Sequence, residues 1–115
     1  MVATGEGDPE NLIRVEIELW LGLEEDLGGV FQRISPVRSR AVFQLASGTS
    51  VGELFSSLAR EIPLVCQRVF NAETRKFSPE VVVIKNDAVA SGSTLSEEKL
   101  SHGDRILIVP VYPGG

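Results

Sequence analysis

Reactive chemistry has few places to start in this chain of 115 residues, which holds one cysteine, Cys66, and one histidine, His102. His102 has no companions of the kind that metal ligation needs, and reads as a surface turn residue. Cys66 follows Pro63-Leu64-Val65 and reads as a buried structural thiol. There is no Gly-x-x-x-x-Gly-Lys-Ser/Thr loop to cradle phosphate and no evident nucleophile–base pair. The stretch that stands out is the end, Pro110-Val111-Tyr112-Pro113-Gly114-Gly115. With 11 glycines in the chain, chance alone puts a pair at the terminus about one time in a hundred. Lacking Cβ atoms, Gly114 and Gly115 can take conformations closed to other residues and let the backbone pass through a narrow channel. Pro113 biases Tyr112 toward extended geometry and stiffens the approach, which lowers the entropy lost on insertion. What such a tail has to offer is its own terminal carboxylate.

A compact body must hold that tail out. Residues 1–12 are rich in Gly, Asp, Pro and Asn and read as a flexible N-terminal tail. Arg14-Val15-Glu16-Ile17-Glu18-Leu19-Trp20-Leu21 alternates with period two, which predicts a strand with Val15, Ile17, Leu19 and Leu21 on its buried face. Trp20 falls on the opposite face with Glu16 and Glu18, where it either helps a partner dock or covers the sheet. Residues 22–40 read as a long mobile excursion, with a helical turn at Leu23–Leu27 closed by Gly28-Gly29. Arg40–Leu45 is a second strand. Ser50-Val51-Gly52-Glu53 is a capping box. Behind it, Val51, Leu54, Phe55, Leu58, Ala59 and Ile62 form one helical stripe, stopped by Pro63. Val81–Lys85 suits a central strand, Asn86-Asp87 a tight turn, and Ala88-Val89 a short return. Ser96–Leu100 reads as one helical turn, and Arg105–Val111 as the last strand.

Composition bounds the rest. The chain is 43% hydrophobic and 23% charged, with a net charge of -5, the balance of one soluble globular domain. Residues 1–29 carry eight acids against Arg14 alone, and the remainder ten bases against eight acids. An acidic chain with no aromatic-interleaved basic stripe is a poor nucleic-acid binder. No apolar run approaches the ~20 residues of a membrane span, and the N-terminus lacks signal-peptide features. A single cysteine excludes an internal disulfide and points to a reducing compartment, the cytoplasm by default. It also excludes an iron–sulfur cluster needing four ligands.

Strand, strand, helix, strand, short strand, strand is the order of an α+β protein. A mixed sheet of four to five strands packed on one main helix, with first and last strands central and parallel, is the β-grasp or ubiquitin-like architecture. On this reading the domain runs over residues 13–111, with an insert at about 22–40 and a flexible tail at 112–115.

The C-terminal third, His102-Gly103-Asp104-Arg105-Ile106-Leu107-Ile108-Val109-Pro110-Val111-Tyr112-Pro113-Gly114-Gly115, resembles the MoaD/ThiS family of sulfur carriers, which includes the small subunit of molybdopterin synthase. Ser47-Gly48-Thr49-Ser50-Val51-Gly52-Glu53-Leu54 is similar to the family's helix start, and Val81–Asp87 to its third strand and following turn. His102 stands where an acid is common, Val111-Tyr112-Pro113 replaces the usual Pro-Val-small residue, and residues 22–40 are unmatched.

The resemblance implies that an E1-like adenylating enzyme consumes ATP to activate the Gly115 carboxylate. A sulfur nucleophile then displaces AMP and leaves a thiocarboxylate. It further implies that Gly114, Pro113, Tyr112, Val111 and Pro110 enter a large partner subunit, that of molybdopterin synthase or another sulfur acceptor. The chain is then a carrier rather than an enzyme, with no cofactor or metal of its own. A protein modifier joined through Gly115 to lysines, and a β-grasp binding module with incidental glycines, stand as alternatives.

Overall fold

Ile13, Val15, Ile17 and Leu19, which alternate along Leu12–Leu19 (β1), are all buried, and this strand lies inside the sheet. A computed structural model of the chain describes residues 12–21, 30–90 and 94–111. On one side β1 pairs antiparallel with Arg38–Ala46 (β3), Ile17 opposite Ala41. On the other it pairs parallel with Arg105–Pro110 (β8), Ile17 opposite Ile106. Val81–Lys85 (β6) lies antiparallel beyond β8, and Ala88–Ala90 (β7) beyond that. Gln32–Ser35 (β2) extends the other edge, giving the order β2-β3-β1-β8-β6-β7. The class is the expected β-grasp, but the sheet has six strands among the described residues rather than four or five.

The sixth strand comes from the region read as an excursion. Residues 32–35 pair with β3 across a bulge, and β3 begins at Arg38 instead of Arg40. Residues 22–29, including the expected helical turn, lie outside the described residues, as do residues 1–11 of the N-terminal tail.

Helix Val51–Glu61 (α1) begins as its sequence dictates. Ser50 Oγ accepts from Glu53 N at 3.1 Å, and Glu53 Oε1 accepts from Ser50 N at 2.8 Å. Its apolar stripe shares one buried core with Val15, Ile17, Ile106 and Ile108, each such burial contributing roughly 1.5–3 kcal/mol. Pro63 does more than stop this helix. It holds Ile62 in an extended conformation (φ -122°, ψ 103°) and then opens a second helix, Pro63–Arg68 (α2), because a proline disfavours helix before it and suits the first position after it.

A small antiparallel pair, Phe70–Asn71 (β4) and Lys76–Phe77 (β5), follows. Phe70 and Phe77 meet Phe55 of α1 with ring centroids 6.0 and 4.9 Å away. Cys66, expected to be buried, is exposed on α2. Val65 takes the buried position, and the helical step to the next residue turns the thiol to solvent.

Candidate functional site

β8 carries the chain toward its C-terminus from the middle of the sheet. Its last residue, Pro110, stands opposite Val81, and Val111 N donates to Glu80 O at 2.9 Å. Pro110 is half-buried and Val111 exposed. The root of the tail is therefore fixed by the sheet's own ladder. Tyr112, Pro113, Gly114 and Gly115 lie outside the described residues.

The far end of β8 is tied by polar contacts. Gly103, at φ +90°, makes the turn that glycine permits. Buried Asp104 accepts from Ser101 N at 2.8 Å and from Asn86 Nδ2 at 2.9 Å, while Asn86 Oδ1 accepts from Arg105 N. Asn86 and Asp87 both have positive φ, 52° and 70°, as a two-residue hairpin turn of this hand requires. His102 Nδ1 accepts from Arg14 N at 3.1 Å, so this histidine secures the start of β1. Lys85 pairs with Glu98 at 3.3 Å and Asp104 at 3.8 Å. It sits at the end of the sheet away from the tail.

The sheet face turned away from α1 is partly polar. Strand alternation puts Arg14, Glu16, Glu18 and Trp20 there from β1, Arg38, Arg40 and Val42 from β3, and Arg105, Leu107 and Val109 from β8. Glu18 is buried and accepts from Trp20 Nε1 at 2.7 Å and from Arg38 Nε and Nη2 at 3.2 and 3.1 Å. The Arg38 guanidinium lies 5.0 Å from the Trp20 ring centroid, in cation–π range. Burial pushes the Glu18 carboxyl up, but the Trp20 and Arg38 hydrogen bonds, with the charges of Arg38 and Arg40, together hold it below the ordinary carboxylate value. Glu16 reaches Arg40 and Arg105, each at 3.9 Å. This set of three arginines on two glutamates was not singled out in the sequence. Only the β1–β3 register, which places Glu18 opposite Arg40 and beside Arg38, brings it together.

A family model described as the ThiS family matches residues 29–115, a span that includes the root of the tail and both terminal glycines. The chain belongs to the ThiS family. Solved structures agree on the fold. The Haloferax volcanii HVO 2177 protein superposes with a TM-score of 0.65 at 19% identity, over 91% of this ThiS-family chain and 89% of that one. Small archaeal modifier protein 1 (SAMP1) of Haloferax volcanii gives a TM-score of 0.55 at 22% identity, over 89% and 99%. SAMP1 of Methanosarcina acetivorans gives 0.56 at 20%, over 90% and 98%. A search of curated proteins found no match. Among the described residues of this ThiS-family chain, no helix is long and apolar enough to cross a membrane.

Proposed function

We propose that this chain is a sulfur carrier whose Gly115 carboxylate is the reacting group. The observation that carries the reading is the family match running through Gly114 and Gly115, on a chain whose central strand leads directly to that tail. A free carboxylate is a poor electrophile, because its charge repels nucleophiles and its leaving group is bad. An E1-like partner remedies both: the carboxylate attacks the α-phosphorus of ATP, pyrophosphate departs, and a sulfur nucleophile displaces AMP from the acyl-adenylate. The thiocarboxylate then delivers its sulfur in an acceptor enzyme, for which the large subunit of molybdopterin synthase is the specific proposal.

In this reading the chain contributes the reacting group and a docking surface, and the partner contributes catalysis. Gly114 and Gly115 thread the partner's channel while Pro110, Val111, Tyr112 and Pro113 line its mouth. The sheet face with Trp20, Leu107, Val109 and the arginines lies beside the strand that leads to them and would meet the partner's surface.

The test is direct. The chain with its native C-terminus is incubated with an E1-like adenylating enzyme from the same source, ATP and a sulfur donor, and the intact protein is weighed. Replacement of one oxygen by sulfur, absent in a variant lacking Gly114 and Gly115, is the expected result. An unchanged mass beside an adenylating enzyme shown to be active on another carrier would reject the proposal. Gly115-dependent conjugates on lysines in cell extract, without a thiocarboxylate, would reject it in favour of a modifier.

A further inference from the structure

The edge of the sheet formed by β6 and β7 borders a cleft on the helix side. Among the described residues their pairing runs to Val83 opposite Ala90, and β6 reaches back to Val81. The cleft has a volume of about 420 Å³ and lies between that edge, β5 and the 3₁₀ turn Leu95–Glu97. That volume falls in the small-ligand range. Its walls are apolar (Phe77, Val81, Ala90 and Leu95), its rim carries Arg75 and Lys76, and among the described residues no carboxylate lines it.

Arg75 is placed there by the backbone. It takes a left-handed conformation, φ 58°, in the turn between β4 and β5, a geometry that non-glycine residues adopt uncommonly. Its Nη2 lies 2.7 Å from where a Cβ would stand on Gly52, so the bare helix start of α1 makes room for the guanidinium. The Arg75 amide donates to Asn71 O at 2.8 Å, while its guanidinium forms no hydrogen bond or ion pair among the described residues. Glu53, which feels its charge, has its carboxylate committed to the Ser50 amide.

We propose that this cleft is a binding site for a small organic carboxylate with an apolar body, its charged end on Arg75 and Lys76 and its body between Phe77, Val81 and Leu95. A guanidinium with unused donors matches a planar carboxylate in two parallel hydrogen bonds, and the walls suit a ring or branched chain. Val81 borders both this cleft and the root of the tail, but the site uses no tail residue, and it holds or fails independently of the tail chemistry.

The full chain, labelled with ¹⁵N, is titrated with 3-phenylpropionate, with its neutral amide, and with inorganic phosphate. The acid is expected to give saturable amide shifts confined to residues 75–83, 88–90 and 95–96. The neutral amide and the Arg75→Asn variant should each bind about tenfold more weakly or worse, as loss of a charge-assisted pair requires, and Lys76→Gln should weaken binding by a smaller factor. Asn tolerates the left-handed turn, so Arg75→Asn should keep the wild-type spectrum elsewhere. Should it unfold instead, Lys76→Gln and the acid–amide comparison decide alone. Shifts that scatter or never saturate, equal binding of acid and amide, unchanged binding in the variants, or phosphate binding as tightly as the acid would each overturn the proposal.

Discussion

At Gly52 the chain has no room for a methyl group. A Cβ there would stand 2.8 Å from the Ser96 carbonyl oxygen and 2.9 Å from the Ser96 Cβ, and a backbone carbonyl cannot swing aside as a side-chain tip can. Gly52→Ala is therefore expected to cost about 1–3 kcal/mol, read as a lower urea midpoint at unchanged slope. Gly115→Ala is the opposite case, with sulfur loading lost and the urea midpoint unmoved. Glu18 is the third residue of this kind. Its carboxylate gathers Trp20 and Arg38 on the outer sheet face, and the Gln variant keeps a hydrogen-bond acceptor but loses the charge. Since Arg38 is well exposed, the expected loss is about 1–2 kcal/mol.

Elements differ in how much they owe to their own sequence. The capping box of α1 is local, and Ser50→Ala should cost about 1 kcal/mol by thermal melting. β1, α1, β6, the Asn86-Asp87 turn and β8 were legible for the same reason: alternation, helical spacing and turn residues each leave an unambiguous local mark. β2 left none. Gln32-Arg33-Ile34-Ser35 is largely exposed, so no apolar face marks it, and only the neighbouring β3 makes it a strand. β4 and β5 have two residues each and are held by tilted and edge-to-face contacts among Phe55, Phe70 and Phe77, which is contact across the fold rather than along the chain. The six residues of α2 are too few to show a period, which is why the side on which Cys66 lies could not be read from its apolar neighbours. The tail's candidate residues were legible as types and spacing. The arginine-rich face and the Arg75 cleft were not, since they depend on register and on a left-handed turn.

For the whole molecule, acid is the informative stress. The Glu18 carboxyl is held below its ordinary value of 4.5 against burial by its hydrogen bonds and the arginine charges, and Glu53 is held below the same value first by its backbone and side-chain bonds to Ser50. Groups depressed in this way contribute stability that is complete above the unfolded value and lost as pH falls through the folded one. Thermal midpoints should stay level from neutrality to about pH 5 and fall below about 4.5, with a shallower acid limb in Glu18→Gln. The tail should be thermodynamically silent. Among the described residues the ladder reaches Pro110 and Val111, and a chain cut after Val111 keeps those bonds and should melt within about 2 °C of the intact one.

The strand order has a consequence for synthesis. The ribosome delivers β8 after every other strand of the sheet, yet β1 and β6 can join into one sheet only through it. A nascent chain stalled before residue 105 lacks the middle of its own core and is exposed to proteolysis, and the terminal glycines follow β8 out. Translation order thus couples display of the tail to completion of a body able to carry it.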